Sequence, residues 1–553
     1  MTVSIRTRAE ADHLNPLLTT KGYATEIVSH IFTQLLIVDP VSLELKPTIV
    51  KSRPEIKVVE EGERKGWTTY TYEFLEEVTW DDGTPVTGED YAFTMKIIHN
   101  PHSGRIVSLY RSVLGFIKDV EVDPVNPKKF TVYTDEPFMK AEYATGQFVY
   151  PKHIYDPEDI LGNYKLTDLS NPENADRNEA DEMLKKHGEL FQSPDYSRSV
   201  DFVSNCGPYK LTEWVDGERI VLERKKDWWG DKIKDKDRAS LLQANPKRLI
   251  FRAVPDAVAA MNLLKSGELD VLGKIPQDQF LEFKASETGQ AQYQFFTPPI
   301  WAYFYYGMNN TNPKLADKRV RKAIAHLADL NTMIDKVMSG MAEPIFGPIH
   351  PNRSYHHPQL KPVPLNVDEA KRLLAEAGWT DTNNNGTVDK IIDGTLTEME
   401  LGLMITSNNT ISSNLGLIFQ EEAKKAGVQI NLVEMEISAF RKSQRSKDFD
   451  LFAAGAQADP HADDPYQYWH SQGATNYGGF ANAEVDQLIE DLRAEPDLEK
   501  RIPMYLRFQE LLYEEQPVVF MYTTKDRLII DKRFKNVEMT IVPPYYTVEK
   551  WTL

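Results

Sequence analysis

The sequence predicts an α/β protein, and three observations carry that reading. Helix-patterned and strand-patterned stretches alternate along most of the 553 residues, as layered helices and sheets require. At roughly 100–200 residues per domain the length asks for about three to four of them. Apolar residues make up 41% and aromatic residues 10%, which suits packed cores rather than disorder.

The elements follow in order. Val3 to Arg6 reads as a strand and Ala24 to Leu36 as an apolar helix-like run. From Lys51 to Glu77 the pattern alternates, with Trp67, Tyr70, Tyr72 and Phe74, as strands with one buried face do. Asp82-Gly83 is a turn dipeptide. Thr87 caps a helix over Tyr91 to His99, Asp90 puts negative charge in its first turn, and Pro101 stops it. Phe130 to Tyr133 is a short strand, and the polar stretch from Pro151 to Leu184 reads as loops and a surface helix. Val203 to Leu211 turns into a strand, and a hairpin over Val215 to Arg224 turns at Asp216-Gly217. Asp256 caps a helix through Leu264, with Gly267 beyond its end, and Leu269 to Leu272 is a strand.

The aromatic run Tyr303 to Met308 forms the next strand. Val320, Ala323, Ile324, Leu327, Ile334 and Val337 make residues 319–338 one amphipathic helix. Asn366 with Glu369 opens a helix over Ala370 to Ala377 that Gly378 ends. Then come a helix over Ile411 to Lys425, strand Gln429 to Val433, helix Ser438 to Ser443 and strand Leu451 to Ala454. A helix over Ile502 to Glu515 leads into strand Val518 to Tyr522.

Bulk composition excludes several function classes. A formal charge of −19 repels phosphate backbones and argues against nucleic acid. It suits ligands carrying an ammonium group. Cys206 is the one cysteine, so no internal disulfide and no cysteine-cluster zinc site exist, and the redox compartment stays open. No run of about 18 apolar residues offers a membrane span. Met1 to Arg6 has no apolar signal core, so either the protein is cytoplasmic or an export signal was trimmed ahead of Met1; the abrupt start in a strand favours trimming.

Catalytic signatures are missing: there is no G-x-S-x-G elbow, no H-E-x-x-H helix and no phosphate-binding G-x-x-x-x-G-K-[ST] loop. Asp381-Thr382-Asn383-Asn384-Asn385-Gly386-Thr387-Val388-Asp389 resembles a calcium loop, with candidate ligands Asp381, Asn383, Asn385 and Asp389. Position twelve is Ile392 rather than Glu, and an Asx-rich turn that satisfies its own backbone accounts for the same residues. His350, His356, His357, His461 and His470 cluster loosely, with surface exposure expected for the pair in the Pro-rich loop. Cys206, beside Gly207-Pro208, reads either as a small buried hydrophobe or as a cavity-lining residue. Gln457 to Tyr466 directly follows an apolar strand, where open α/β sheets bind ligands. Asp459 is the candidate acid there; Asp463 and Asp464 read as a solvated loop or helix cap.

Several blocks, in this order, carry a resemblance: Trp80-Asp81-Asp82-Gly83-Thr84-Pro85-Val86-Thr87-Gly88-Glu89-Asp90; Cys206-Gly207-Pro208-Tyr209-Lys210-Leu211 with Trp228-Trp229; Arg319-Val320-Arg321-Lys322-Ala323-Ile324; and Ala370 to Gly378. Nearly end to end, the chain resembles the dipeptide/oligopeptide-binding family of extracytoplasmic receptors for ABC importers. The resemblance implies a two-lobed periplasmic-binding-protein-like fold with mixed sheets and two hinge crossings, near Thr297 and Met521. Lobe I would comprise residues 1–50, 195–296 and 522–553, with 51–194 an inserted subdomain, and lobe II residues 297–521. A peptide would be held in the interlobe cleft, its main chain paired like an added strand and its ammonium on Asp459. Asn205, Cys206 and Gly207 would line the site from lobe I, and Trp301, Tyr303, Asn408, Asn409, Phe440, Arg441 and Gln457 from lobe II. The family implies a monomeric receptor rather than an enzyme. Its partner is a membrane permease, and its place is the periplasm or the outer face of the cytoplasmic membrane, some members being lipoproteins. Cys206 before Gly-Pro and Pro460-His461 after Asp459 depart from the family pattern, so an oligosaccharide or a nickel or other metal chelate remains the alternative cargo.

Overall fold

The computed structural model describes residues 1–459 and 462–553. The chain forms two compact units, Met1–Pro298 with Asp526–Leu553, and Pro299–Lys525. Mixed sheets and flanking helices in each make this the α/β protein the alternation predicts.

The first unit is built on a seven-stranded mixed sheet. Thr2–Thr7 lies inside it, parallel to Arg248–Ala253 on one side and to Val271–Gly273 on the other. Tyr209–Val215 and Arg219–Arg224 form the predicted hairpin at one edge, and Leu528–Asp531 joins near the other. The alternating stretch after Lys51 belongs to a separate four-stranded antiparallel sheet, Glu55–Val58, Thr68–Glu73, Lys129–Thr134 and Ile117–Val122. Helix Gly88–His99 starts as predicted: the Asp90 carboxylate accepts from the Thr87 backbone N–H at 2.9 Å. The apolar run expected as helix to Leu36 is helical only over Gly22–Ile31. Beyond it, Leu35 and Leu36 donate their amides to Gln147 and Gly146 carbonyls, and that pairing extends the chain.

The second unit contains a six-stranded mixed sheet whose strands we number β1 Ala302–Met308, β2 Ala342–Pro344, β3 Glu400–Thr406, β4 Gln429–Met435, β5 Leu451–Gln457 and β6 Val518–Thr524. Their order is β2-β6-β1-β5-β3-β4. β3, β4 and β5 run parallel, and β1 runs antiparallel to β5 and β6. The start of β1 therefore shares one end of the sheet with the ends of β3, β4 and β5. A core of Met308, Val320, Ile324, Leu401, Leu403, Phe419 and Ile430 packs one region of the unit; Tyr303, Tyr305, Phe440, Phe452 and Trp469 belong to another cluster.

The second passage of the chain, expected near Met521, lies between Lys525 and Asp526. β6 pairs with β1 and β2 through Thr524, which keeps the whole strand in the second unit. The helix expected over 319–338 is also interrupted. It runs Lys318–Ala325, and the Asp329 carboxylate then caps a new turn by accepting from Thr332 N–H at 3.0 Å. Arg321, buried in that first segment, donates to the carbonyls of Leu315, Ala316, Glu515 and Gln516, tying the helix to the end of helix Leu498–Glu515.

Candidate functional site

In the first unit, Asn205, Cys206 and Gly207 are side chains and backbone of the interior. Asn205 is fully buried; its Oδ1 accepts from Thr33 N–H at 3.3 Å and its Nδ2 donates to Val149 carbonyl at 2.6 Å. The Cys206 carbonyl accepts from both Trp228 and Trp229 indoles, at 2.9 and 2.7 Å. Burial pushes the Cys206 thiol up to about 12, so it stays protonated and behaves as a small apolar group. A Cβ on Gly207 would stand 2.3 Å from the Ile31 carbonyl oxygen. Next to them Lys225 donates to the Asn205 carbonyl at 2.7 Å and forms an ion pair with Asp81, whose other oxygen accepts from Ser204 Oγ at 2.8 Å. The conspicuous tryptophan-aspartate and glycine-proline blocks thus meet each other.

The other candidates lie on the second unit, most of them at one end of its sheet. Backbone pairing sets their frame. β5 stays paired with β1 from Leu451 to Gln457, but its pairing with β3 covers only Leu451 and Phe452. Ala458 N–H donates to the Trp301 carbonyl at 2.9 Å. Antiparallel ladders alternate, so Ala456 and Ala454 also face β1, whereas Gly455 and Gln457 turn their N–H and C=O groups the other way. Past Phe452, therefore, β5 presents main-chain groups on the side that β3 has left. Gly455 and Gln457 are exposed.

Trp301 is fully buried and its carbonyl also accepts from the Gln457 side-chain amide. Tyr303 and Phe440 are core residues of the aromatic cluster. Asn408 follows β3 with φ of 62°, a conformation Asn tolerates. Asn409 caps helix Thr410–Lys425, its Oδ1 accepting from Ser412 N–H at 3.1 Å. Arg441 is exposed on helix Ile437–Ser446. Asp459 is partly exposed just beyond β5.

Sequence reasoning missed the cation that holds the Asp459 carbonyl. Arg353 is 8% exposed; its Nη2 donates to the Asp459 carbonyl at 2.5 Å and its Nε to Asp463 Oδ2 at 2.9 Å. Its guanidinium lies 4.9 Å from the Trp301 ring centre. Asp463, expected in a solvated loop or as a helix cap, is instead largely enclosed, its side chain 10% exposed: it also accepts from Tyr355 hydroxyl at 2.7 Å, and its carbonyl accepts from Tyr505 hydroxyl at 2.6 Å. Burial is the largest single influence and opposes the Arg353 charge, but Asp463, Tyr355, Tyr505 and Asp459 together outweigh it and raise the arginine pKa. Asp464 does act as a turn cap, accepting from Tyr466 N–H at 3.1 Å. Arg353 lies 110 residues from Asp463, a separation that leaves no local signal for the pair.

The histidines do not form a surface cluster. His350 is buried against the Trp301 ring, 4.1 Å between centres, and burial pushes it down to about 4, helped by the Arg353 charge. His357 is buried as well, its Nδ1 accepting from Gln359 and Leu360 amides. His461 falls outside the described residues. In the 381–389 loop the Asx side chains serve the backbone: Asp381 accepts from Asn385 and Gly386, Asn383 from Asn385, and Asn385 from Thr387. Asp389, buried, accepts from Thr382 N–H and Oγ1. Among the described residues no group of three or more His, Cys, Asp or Glu side chains is arranged to hold a metal ion, and no helix is long and apolar enough to cross a membrane.

The family model for bacterial extracellular solute-binding proteins, family 5 (middle), matches residues 53–479. The oligopeptide-binding protein AppA of Bacillus subtilis is 26% identical over 557 residues, covering 98% of this chain and 89% of that protein. The periplasmic oligopeptide-binding protein OppA of Salmonella typhimurium is 25% identical over 492 residues, covering 86% and 80%. Among solved structures, AppA in complex with a nonapeptide superposes with a TM-score of 0.65 at 23% identity, covering 100% of this chain and 99% of that one. NikA of Brucella suis in complex with Fe(III)-EDTA gives 0.75 at 19% identity, with the same coverage.

Proposed function

The chain belongs to the bacterial extracellular solute-binding proteins of family 5, a family of receptors and not of enzymes, and from that premise we propose that its cargo is a peptide. The receptor takes the peptide outside the cytoplasmic membrane and delivers it to the permease of an ABC importer. It works as a monomer, in the periplasm or anchored by lipid to the outer face of the cytoplasmic membrane. One observation carries the cargo: the edge of β5 at Gly455 and Gln457, which offers amide and carbonyl groups beside the acid Asp459. An extended peptide satisfies such an edge with its own main chain, whatever its side chains. Its terminal ammonium then falls to the carboxylate at the end of the strand. Oligopeptide cargo in the names of AppA and OppA supports the same reading.

Mass spectrometry of material released from the purified protein tests the class; the expected result is peptides, and a saccharide or a metal chelate in their place refutes it. Calorimetry with a released peptide tests the anchor. Asp459→Asn is expected to weaken the free-amine form by about 2–5 kcal/mol. Equal loss for its N-acetylated form would remove Asp459 from the ammonium site.

A further inference from the structure

Gly455 leaves a gap in the face of the sheet beside the open edge, and Phe304 leans across it from the neighbouring strand. The two are direct partners in the β1–β5 ladder, so they belong to one face. A Cβ on Gly455 would stand 2.9 Å from Phe304 Cε1 and 3.0 Å from its Cδ1. On the other flank the Phe304 ring stacks on Tyr522 of β6, 5.1 Å between centres and 21° between planes. Tyr522 is buried, so the ring is backed and does not retreat from the edge. Phe304 itself is only half-buried, and Gly455 is exposed. Their neighbours on this face of β5 are Ala453 and Gln457, and the Gln457 amide is turned back to the Trp301 carbonyl. A half-exposed phenylalanine alone means little. This one borders the main-chain groups that a cargo backbone would meet.

Strand pairing fixes what arrives there. A guest with its amino terminus at the end of β5 runs antiparallel to that strand. Gly455 turns N–H and C=O to the open side, so the guest residue opposite exchanges both bonds with it. Directly opposed residues put their side chains on the same face. Adjacent strands lie about 4.8 Å apart, so two side chains that lean over a bare glycine between them meet.

We infer that Phe304 sets the side-chain selectivity of this edge: the cargo residue paired with Gly455 lays a large apolar side chain, an aromatic one best of all, on the Phe304 ring. The inference rests on the peptide reading above and adds one preferred side chain to a grip on the main chain. With the first guest residue beside Gln457, the third faces Gly455.

The test uses free-amine alanine pentapeptides carrying one Phe, Leu or Asp at each position in turn. Each competes with pentaalanine for the full chain, and occupancy is read by native mass spectrometry. Phe at position three is expected to win by about tenfold, Leu by less, and Asp to lose. Phe304→Leu should reduce the Phe advantage at position three to about threefold or less and leave the other positions unchanged. Gly455→Ala, whose methyl group fills the gap and displaces the ring, should do the same. A merely structural role for Phe304 would weaken every peptide alike, so a uniform loss overturns the inference. No preference at position three in wild type, or one that both variants leave intact, overturns it too. Should Phe304→Leu fail to fold, Gly455→Ala decides: an unchanged advantage at position three refutes the contact. If no pentapeptide of the set binds the wild-type chain, the peptide reading itself fails; if they bind without regard to position three, only the role of Phe304 falls.

Discussion

In the first unit, Asn205 and Lys225 direct their polar groups into the chain around them, to Thr33, Val149 and Asp81. In the second, Gly455 and Gln457 turn amides and carbonyls toward a side from which β3 has departed. The first region drew attention through the Cys206-Gly207-Pro208 block, the second because Gln457 to Tyr466 directly follows an apolar strand. The contrast separates a motif that builds a unit from a segment that leaves hydrogen bonds for something else. Burial alone would not distinguish them, because Trp301 and Tyr303, beside the open edge, are buried too.

Breaking the buried side of the contrast should cost the most. Lys225→Met removes the ion pair with Asp81 and the bond to the Asn205 carbonyl, and denaturant unfolding should show a loss of about 1.5–3 kcal/mol. Gly207→Ala forces a methyl group onto the Ile31 carbonyl, where neither partner is a flexible side chain; a loss of about 3 kcal/mol in the same measurement is expected. Stability equal to wild type in either variant would remove the distinction drawn between the two regions.

The open edge should respond in the opposite manner. Gln457→Pro deletes a backbone amide that makes no bond to β1 together with the side-chain bond to the Trp301 carbonyl, so unfolding should lose no more than about 1.5 kcal/mol. Peptide affinity by calorimetry should fall by about 1–1.5 kcal/mol for the missing hydrogen bond. A large stability loss with unchanged affinity would place that amide inside the fold.

The smallest effect sharpens the comparison through pH. His30 is buried 2.7 Å from Glu549, while Tyr546 donates to Glu26 on the same helix, one turn earlier. Burial is the largest single influence and opposes the His30 charge, yet Glu549 and Glu26 together outweigh it and raise the histidine pKa; burial also opposes the Glu549 charge, but His30, a backbone hydrogen bond and Lys550 together lower its pKa. The histidine contribution is complete below its unfolded pKa, about 6.5, and is lost as pH rises through the higher folded value. The Glu549 contribution is present above its unfolded value, about 4.3, and is lost as pH falls through the lower folded one. Melting temperature should therefore decline from mildly acidic to alkaline pH, and His30→Gln should flatten that decline by about 1 kcal/mol. An identical pH profile in the variant would show that the pair is not coupled to folding.

How much of this was legible follows from the range of each interaction. The β1 strand, the hairpin at Asp216-Gly217 and the caps at Thr87 and Asn366 depend on neighbours within a few residues, and local pattern reveals them. The interruption after Ala325 turned on Asp329, a cap hidden inside an amphipathic run whose apolar period continued across it. Asp459 stood out because it follows a strand. What could not be read was the parting of β3 from β5, which is a matter of register between distant segments, and the Arg353–Asp463 pair. The tyrosines that enclose Asp463 come from a loop and a helix far apart in sequence, so no window of the chain announces that this acid is largely enclosed.

A strand edge of bare amides recognises rhythm rather than letters. Its donors and acceptors recur along β5 at every second residue, so a guest qualifies by matching that beat in the extended state. Proline or an N-methyl group falling on the beat is a silent note, and a guest so modified should be turned away while one bearing the same change a single step along is accepted.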